Sequence, residues 1–330
     1  MASHSSMAVG SAIAGNSLVA AAKLGAFFVT GSGTMLSEGI HSLADTMNQV
    51  LLLIGIKRAG KAPNATFQYG HGAERFVWAL ISAVGIFFLG CGFTLYHGVH
   101  SYLHPSEPTN INIAITVLIV AFVVEAIVLY VAYKSIKADA GTKPFVEYLF
   151  RDADPAAVAV LFEDAAACFG VIIALVCIFL TQATGDPRWD AIGSICIGVL
   201  LGVLAIWLIA RNHRLLVGVA LPESEEAAIR AIFEQSPYVE RVANIASRQL
   251  DTDVWQVRLG VVYDGSAISE RWSGDLRDQY DVIHDFDAFR DFVHTYGEWM
   301  GDRIADVVDE LEAQVRARYP NVRYIDVEAE

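Results

Sequence analysis

His41 and Asp45 stand four residues apart in the run Ser37-Glu38-Gly39-Ile40-His41-Ser42-Leu43-Ala44-Asp45-Thr46-Met47-Asn48-Gln49, inside an apolar segment. Residues at i and i+4 share one helix face, about 6 Å apart along the axis, so an imidazole and a carboxylate placed this way can hold one ion between them. In hydrocarbon an isolated ionisable group costs at least a few kcal/mol, which drives it toward a partner or a cavity. A second acidic pair, Glu163-Asp164, lies in another apolar segment far along the chain. Two helices presenting such groups inward point to a metal site within a bilayer.

The surrounding composition fits that setting. The 330 residues are 54% hydrophobic and 18% charged, with a mean hydropathy of +0.42, as in a membrane protein. From Met1 to about Arg214 the chain is a string of apolar segments, and from Leu215 to Glu330 it is polar and rich in Asp and Glu. Much of the net charge of −14 belongs to that tail. Such a balance argues against nucleic acid and anionic lipid as partners. The four cysteines all fall in apolar segments, which excludes a disulfide framework and makes them small packing residues. The first residues lack the basic start and cleavage site of a signal peptide, so the first apolar run is expected to be retained.

Six spans of about 20 residues are predicted, near 8–29, 35–57, 76–101, 111–134, 156–181 and 190–210. The first, rich in Ala, Gly and Ser and carrying Asn16 and Lys23, is expected to pack among helices rather than face lipid. Lys57, Arg58, Lys61, Arg75, Lys134, Lys137, Lys143, Arg151, Arg211 and Arg214 flank connections on one side, and only Arg188 on the other. Both termini and the tail are therefore expected on the cytoplasmic (or organelle matrix) side, most simply of a cell inner membrane.

The tail predicts a helix at 224–233, strands at 241–250 and 253–263, a helix at 299–319 stopped by Pro320, and a strand at 322–327, a small open α/β sandwich. An extra stretch at about 264–298 holds Trp272, Asp275, Asp278, Tyr280, Asp281, His284, Asp285, Phe286, Asp287, Phe289, Phe292 and His294. It contains metal-ligand types, but its residues are better read as an amphipathic helix with packed Phe and solvated Asp.

With these residues in place, the chain resembles the cation diffusion facilitators, the zinc-transporter family. The resemblance is carried by Thr30-Gly31-Ser32, His41-Ser42-Leu43-Ala44-Asp45 with Asn48, Tyr69-Gly70-His71-Gly72, the Asp-bearing fifth span and Asp190-Ala-Ile-Gly-Ser194, and in the tail by element order. It implies a six-helix membrane domain over 1–214 and a metallochaperone-like (ferredoxin-like) cytoplasmic dimerisation domain over 215–330. It also implies a homodimer exporting a divalent cation in exchange for protons, with two site residues each from the second and fifth spans. By resemblance His41, Asp45 and Asp164 take three places, Gly170 standing six residues beyond Asp164 as in the family pattern. The fourth place, usually His or Asp, is Val160 here. Glu163 beside Asp164 is similar to a branch, related to a mitochondrial zinc transporter, with Glu-Asp in the fifth span.

Among further groups, Asn48 at i+3 from Asp45 is placed to offer an oxygen. Glu163 sits about 100° round the helix from Asp164, a poor position for the same ion, so it is read as a structural hydrogen-bonding residue ahead of a metal ligand or proton carrier. Cys168 is a soft-ligand candidate at i+4 from Asp164. Asn16 and Glu125 are read as interhelical hydrogen-bonding residues, and Asp190 as the cap of its own helix. One imidazole and two or three carboxylates suit Zn²⁺, while Mn²⁺ and Fe²⁺ also accept oxygen-rich sites, and Co²⁺ and Cd²⁺ are further cargo candidates. No resident cofactor is expected. An intramembrane metalloenzyme using the same residues is the alternative class, weakened because no nucleophile motif or H-E-x-x-H accompanies them.

Overall fold

The computed structural model describes residues 2–151, 153, 155–271, 277, 280, 281 and 283–330, with backbone alone for 2–12, 150, 151, 155, 156 and 271. Trp272, Asp275 and Asp278 lie outside the described residues. The chain forms two compact units, residues 1–61 with 74–216, and residues 62–73 with 217–330.

The first unit is helical. Its elements are α1 (Ala2–Thr30), α2 (Gly33–Ala59), α3 (Glu74–Gly85), a π-helical turn (Ile86–Gly92), α4 (Phe93–Leu103), α5 (Ile111–Ala140), α6 (Phe145–Arg151), α7 (Pro155–Thr184) and α8 (Arg188–Val217). Among the described residues, five stretches are long and apolar enough to cross a membrane: Ile13–Thr30, Glu74–Leu103, Ile111–Ala140, Ala157–Thr184 and Arg188–Val217. The expected second span, α2, is 27 residues long, about 40 Å at 1.5 Å per residue. It falls outside that apolar set because Glu38, His41, Asp45, Lys57 and Arg58 sit along it. Its polar residues Ser37, Glu38, His41, Ser42 and Asn48 are buried inside the bundle instead. The third span is one continuous stretch, but its helix widens to π geometry in the middle, an irregularity found mostly at functional sites.

Against expectation, α1 is not surrounded. Ala20, Lys23, Ala26 and Thr30 form one buried stripe, while Leu18 and Phe28 are exposed at 72% and 82%. Spacings of three and four place these four residues on one face, while small residues such as Ala21, Ala22 and Gly25 lie exposed with Leu18 and Phe28 on the other. α8 approaches α2 closely enough that a Cβ at Gly193 would lie 2.4 Å from Thr34 Cγ2. All four cysteines are free thiols.

The second unit runs α9 (Glu223–Glu234), β1 (Val239–Asp251), β2 (Val254–Tyr263), α10 (Gly265–Arg271), α11 (Phe286–Arg318) and β3 (Val322–Ala329). β2 is central, antiparallel to β1 and parallel to β3. The alternating Val257, Leu259 and Val261 bury one sheet face against Ile229 and Phe233 of α9 and Val307, Leu311 and Val315 of α11, as period 2 meeting period 3.6 requires. The 62–73 connection belongs here, with the Tyr69 ring 5.0 Å from that of Tyr324.

α11 begins thirteen residues before the predicted 299. Asp285 caps it by accepting from Ala288 N at 2.8 Å, and the helix then runs unbroken for 33 residues. The expected packing of its aromatic residues does not hold throughout. Phe286 and Phe289 are exposed, while the Phe292 ring stacks on Tyr296. The exposure of that first stretch explains why apolar periodicity did not reveal it.

Candidate metal centre

α2 presents His41, Asp45 and Asn48, and α7 presents Glu163 and Asp164. Asp45, Asn48, Glu163 and Asp164 line one cavity of about 80 Å³, together with Val160 and Glu125. That volume accepts an ion with a few waters. His41 stands behind Asp45, with Nε2 3.6 Å from Asp45 Oδ2 and its side chain almost fully buried. Both ring nitrogens of His41 and Asp164 Oδ2 are buried without a hydrogen-bond partner. Buried polar atoms are normally paired, so orphans gathered at one place mark where a ligand belongs.

Glu163 reaches the same cavity as Asp164 despite the angle between them. Its Oε2 accepts from Asn48 Nδ2 at 2.9 Å, while Asn48 Oδ1 accepts from Ser82 Oγ at 2.8 Å. The Asn48 oxygen is therefore engaged from α3, and its amide holds the Glu163 carboxylate. Cys168 is buried, away from the cavity-lining set. Among the described residues no three His, Cys, Asp or Glu side chains stand close enough to hold an ion as they are. The membrane-unit groups surround a cavity rather than forming a closed shell, and among the described residues His284, Asp285, Asp287 and His294 of the tail form no such group either.

Val160 occupies the cavity wall one turn before Asp164. The place that the resemblance gives to a fourth ligand thus holds an apolar side chain on the cavity wall.

Two polar clusters were not legible from spacing. Lys23 Nζ, on α1, lies 2.8 Å from Glu38 Oε2 and 2.7 Å from Glu125 Oε1 on α5. The signal available was charge within apolar spans. Asp190, at the start of α8, is expected to cap its own helix, but its carboxylate bonds the start of α2 instead. Its Oδ1 accepts from Ser32 Oγ at 2.7 Å and Thr34 Oγ1 at 2.6 Å, and its Oδ2 from Gly33 N. It ties off the first turn of α2, where free N–H groups and the positive helix end favour a carboxylate.

Residues 10–217 match the family described as the cation efflux transmembrane domain. The chain is 33% identical over 337 residues to a metal tolerance protein of Arabidopsis thaliana, covering 99% of this chain and 74% of that protein. It is 33% identical over 317 residues to the mitochondrial proton-coupled zinc antiporter of Xenopus laevis, covering 93% of this chain and 56% of that one. It is 27% identical over 245 residues to the cation-efflux pump FieF of Shewanella oneidensis, covering 74% of this chain and 77% of the pump. The chain thus spans little more than half the length of the vertebrate relative.

Proposed function

The chain belongs to the cation efflux family, and from that premise we propose that it exports a divalent cation, zinc, across a membrane in exchange for protons. The family places it among transporters rather than intramembrane metalloenzymes. The observation that carries the zinc site is the meeting of Asp45 from α2 with Asp164 and Glu163 from α7 around one cavity, with His41 immediately behind. His41, Asp45 and Asp164 supply one nitrogen and carboxylate oxygens, donors that zinc accepts at about 2.0–2.2 Å. Glu163 is held at the wall by Asn48, and water fills the place left by Val160.

Coupling follows from the donors. Imidazole and carboxylic acid must release protons to bind metal, so a site opening alternately to two sides exchanges cation for proton. The Lys and Arg distribution supports both termini on the side from which metal leaves, the cytoplasmic side. The membrane unit corresponds to the transport domain and the tail to a dimerisation domain, in a two-fold homodimer.

An oxygen-rich cavity with one apolar wall also suits Mn²⁺ or Fe²⁺, which is the second reading. Zinc and manganese flux into liposomes, with and without a pH gradient, tests both. Flux of neither metal, or zinc flux indifferent to the gradient, overturns the corresponding claim.

A further inference from the structure

Lys23 holds two carboxylates with one ammonium. Its side chain is fully buried, as is that of Glu38, while Glu125 keeps 14% exposure. One carboxylate is enough to neutralise the ammonium, so with both ionised the trio carries one negative charge in excess within the bundle. Burying charge is tolerable only when it is matched. The unmatched oxygens are visible: Glu38 Oε1 and Glu125 Oε2 are buried without hydrogen-bond partners. The two are not equivalent. Glu38 Oε1 faces Gly170, where a Cβ would lie 2.4 Å away, whereas Glu125 lines the cavity that also holds Asp45, Glu163 and Asp164.

Resting on the transport reading above, we propose that Glu125 is a further contact for the cargo cation and that Lys23 is a tethered cation that occupies this carboxylate at the cavity wall until the cargo displaces it. With the cavity empty, the ammonium competes for Glu125 and keeps its charge matched. When a divalent ion enters, the Glu125 carboxylate turns onto it. Glu38 remains on Lys23, so the buried ammonium is never left without a counter-charge. A purely structural clamp would have no use for a second carboxylate shared with the cavity.

The test is zinc calorimetry on the purified full chain, beside thermal unfolding. Glu125→Gln is expected to weaken zinc binding roughly 10- to 100-fold, the range for groups acting at the edge of a metal shell, and Glu125→Asp to recover part of it. Lys23→Met with Glu38→Gln removes the clamp as a neutral set and frees Glu125, so zinc binding tightens several-fold. If Glu125→Gln alone does not fold, adding Glu125→Gln to that double variant gives the same comparison, and the loss is read between double and triple. Zinc binding unchanged by Glu125→Gln, or equal in double and triple, overturns the inference. So does equal weakening by Glu125→Gln and by the double variant, which is the signature of a structural clamp. Asp45→Asn serves as the separate control. Wild-type zinc binding there overturns the transport site itself, while its loss beside an indifferent Glu125→Gln removes only the role given to Glu125.

Discussion

Asp190 and Asp164 are both aspartates within the helical unit, and they live in opposite circumstances. Asp190 is buried with its two oxygens taken by two hydroxyls and a backbone N–H at the start of α2. Asp164 has a buried oxygen with no partner and sits on a cavity that other carboxylates share. Cost alone does not separate them, since both are ionisable groups in an apolar setting. Satisfaction does. A carboxylate whose donors come from the protein holds helices together. On the proposed reading, one with an unpartnered oxygen on a cavity that other carboxylates share is available to a cation.

The sharpest break in that contrast comes from removing each group. Asp45→Asn and Asp164→Asn are expected to lower zinc affinity and zinc flux on the order of 100-fold or more, beyond the loss seen for outer-shell groups, with little change in unfolding temperature. Asp190→Ala is expected to do the reverse. It strands two hydroxyls and an amide, about 3 kcal/mol of stability in total, and flux per folded molecule stays near wild type. Liposome flux normalised to folded protein, beside thermal unfolding in detergent, measures both. If Asp190→Ala abolishes flux in fully folded protein, the contrast fails.

How much of this could be seen in the chain depends on the distance over which partners lie. His41 and Asp45 share a face by local geometry, Asp164 stands out by charge in an apolar run, and the tail shows its strands because Val257, Leu259 and Val261 alternate. Partners are another matter. Asp190 meets Ser32 across 158 residues and Lys23 meets Glu125 across 102, and no periodicity encodes such a pairing. The angle between Glu163 and Asp164 argued against a common ion, yet both line one cavity, because Asn48 on the facing helix draws the Glu163 carboxylate across. The early start of α11 was hidden for a different reason. Phe286 and Phe289 are exposed, so the pattern that marks a buried helix face is missing there.

Gly170 extends the comparison to the contact between α2 and α7. A Cβ there would meet Glu38 Oε1 at 2.4 Å, an oxygen whose partner oxygen is fixed on Lys23. Gly170→Ala must push that clamp or part the helices, at a cost of about 1–3 kcal/mol from overpacking. Because α2 and α7 carry opposite halves of the site, zinc affinity is expected to fall with stability. Unfolding temperature unchanged from wild type would show that the clamp yields freely.

Val160→His is smaller and opposite in sign. The new imidazole enters the cavity wall one turn from Asp164 and supplies a second nitrogen beside that of His41. Zinc affinity is expected to rise about tenfold, equivalent to about 1.4 kcal/mol, with manganese affinity little changed because nitrogen donors favour zinc over harder ions. Calorimetry with both metals reads the split. A parallel gain for manganese would mean that the added group merely restores charge balance or packing.

The smallest effect is expected at Ser82, and it decides what Asn48 does. Ser82 Oγ donates to Asn48 Oδ1, and Asn48 Nδ2 donates to Glu163 Oε2, so the amide is fixed at both ends. Ser82→Ala removes one net hydrogen bond, about 1 kcal/mol of stability, and leaves the Asn48 oxygen without its donor. If Asn48 serves to hold Glu163, a looser amide positions that carboxylate less well, and zinc affinity weakens by about threefold, less than 1 kcal/mol. If instead the Asn48 oxygen were a ligand restrained by Ser82, freeing it would tighten binding. The sign of the change in zinc calorimetry therefore separates a positioning amide from a coordinating one. The arrangement of donors favours the first, because an amide already giving its N–H to Glu163 must break that bond to turn its oxygen toward the ion.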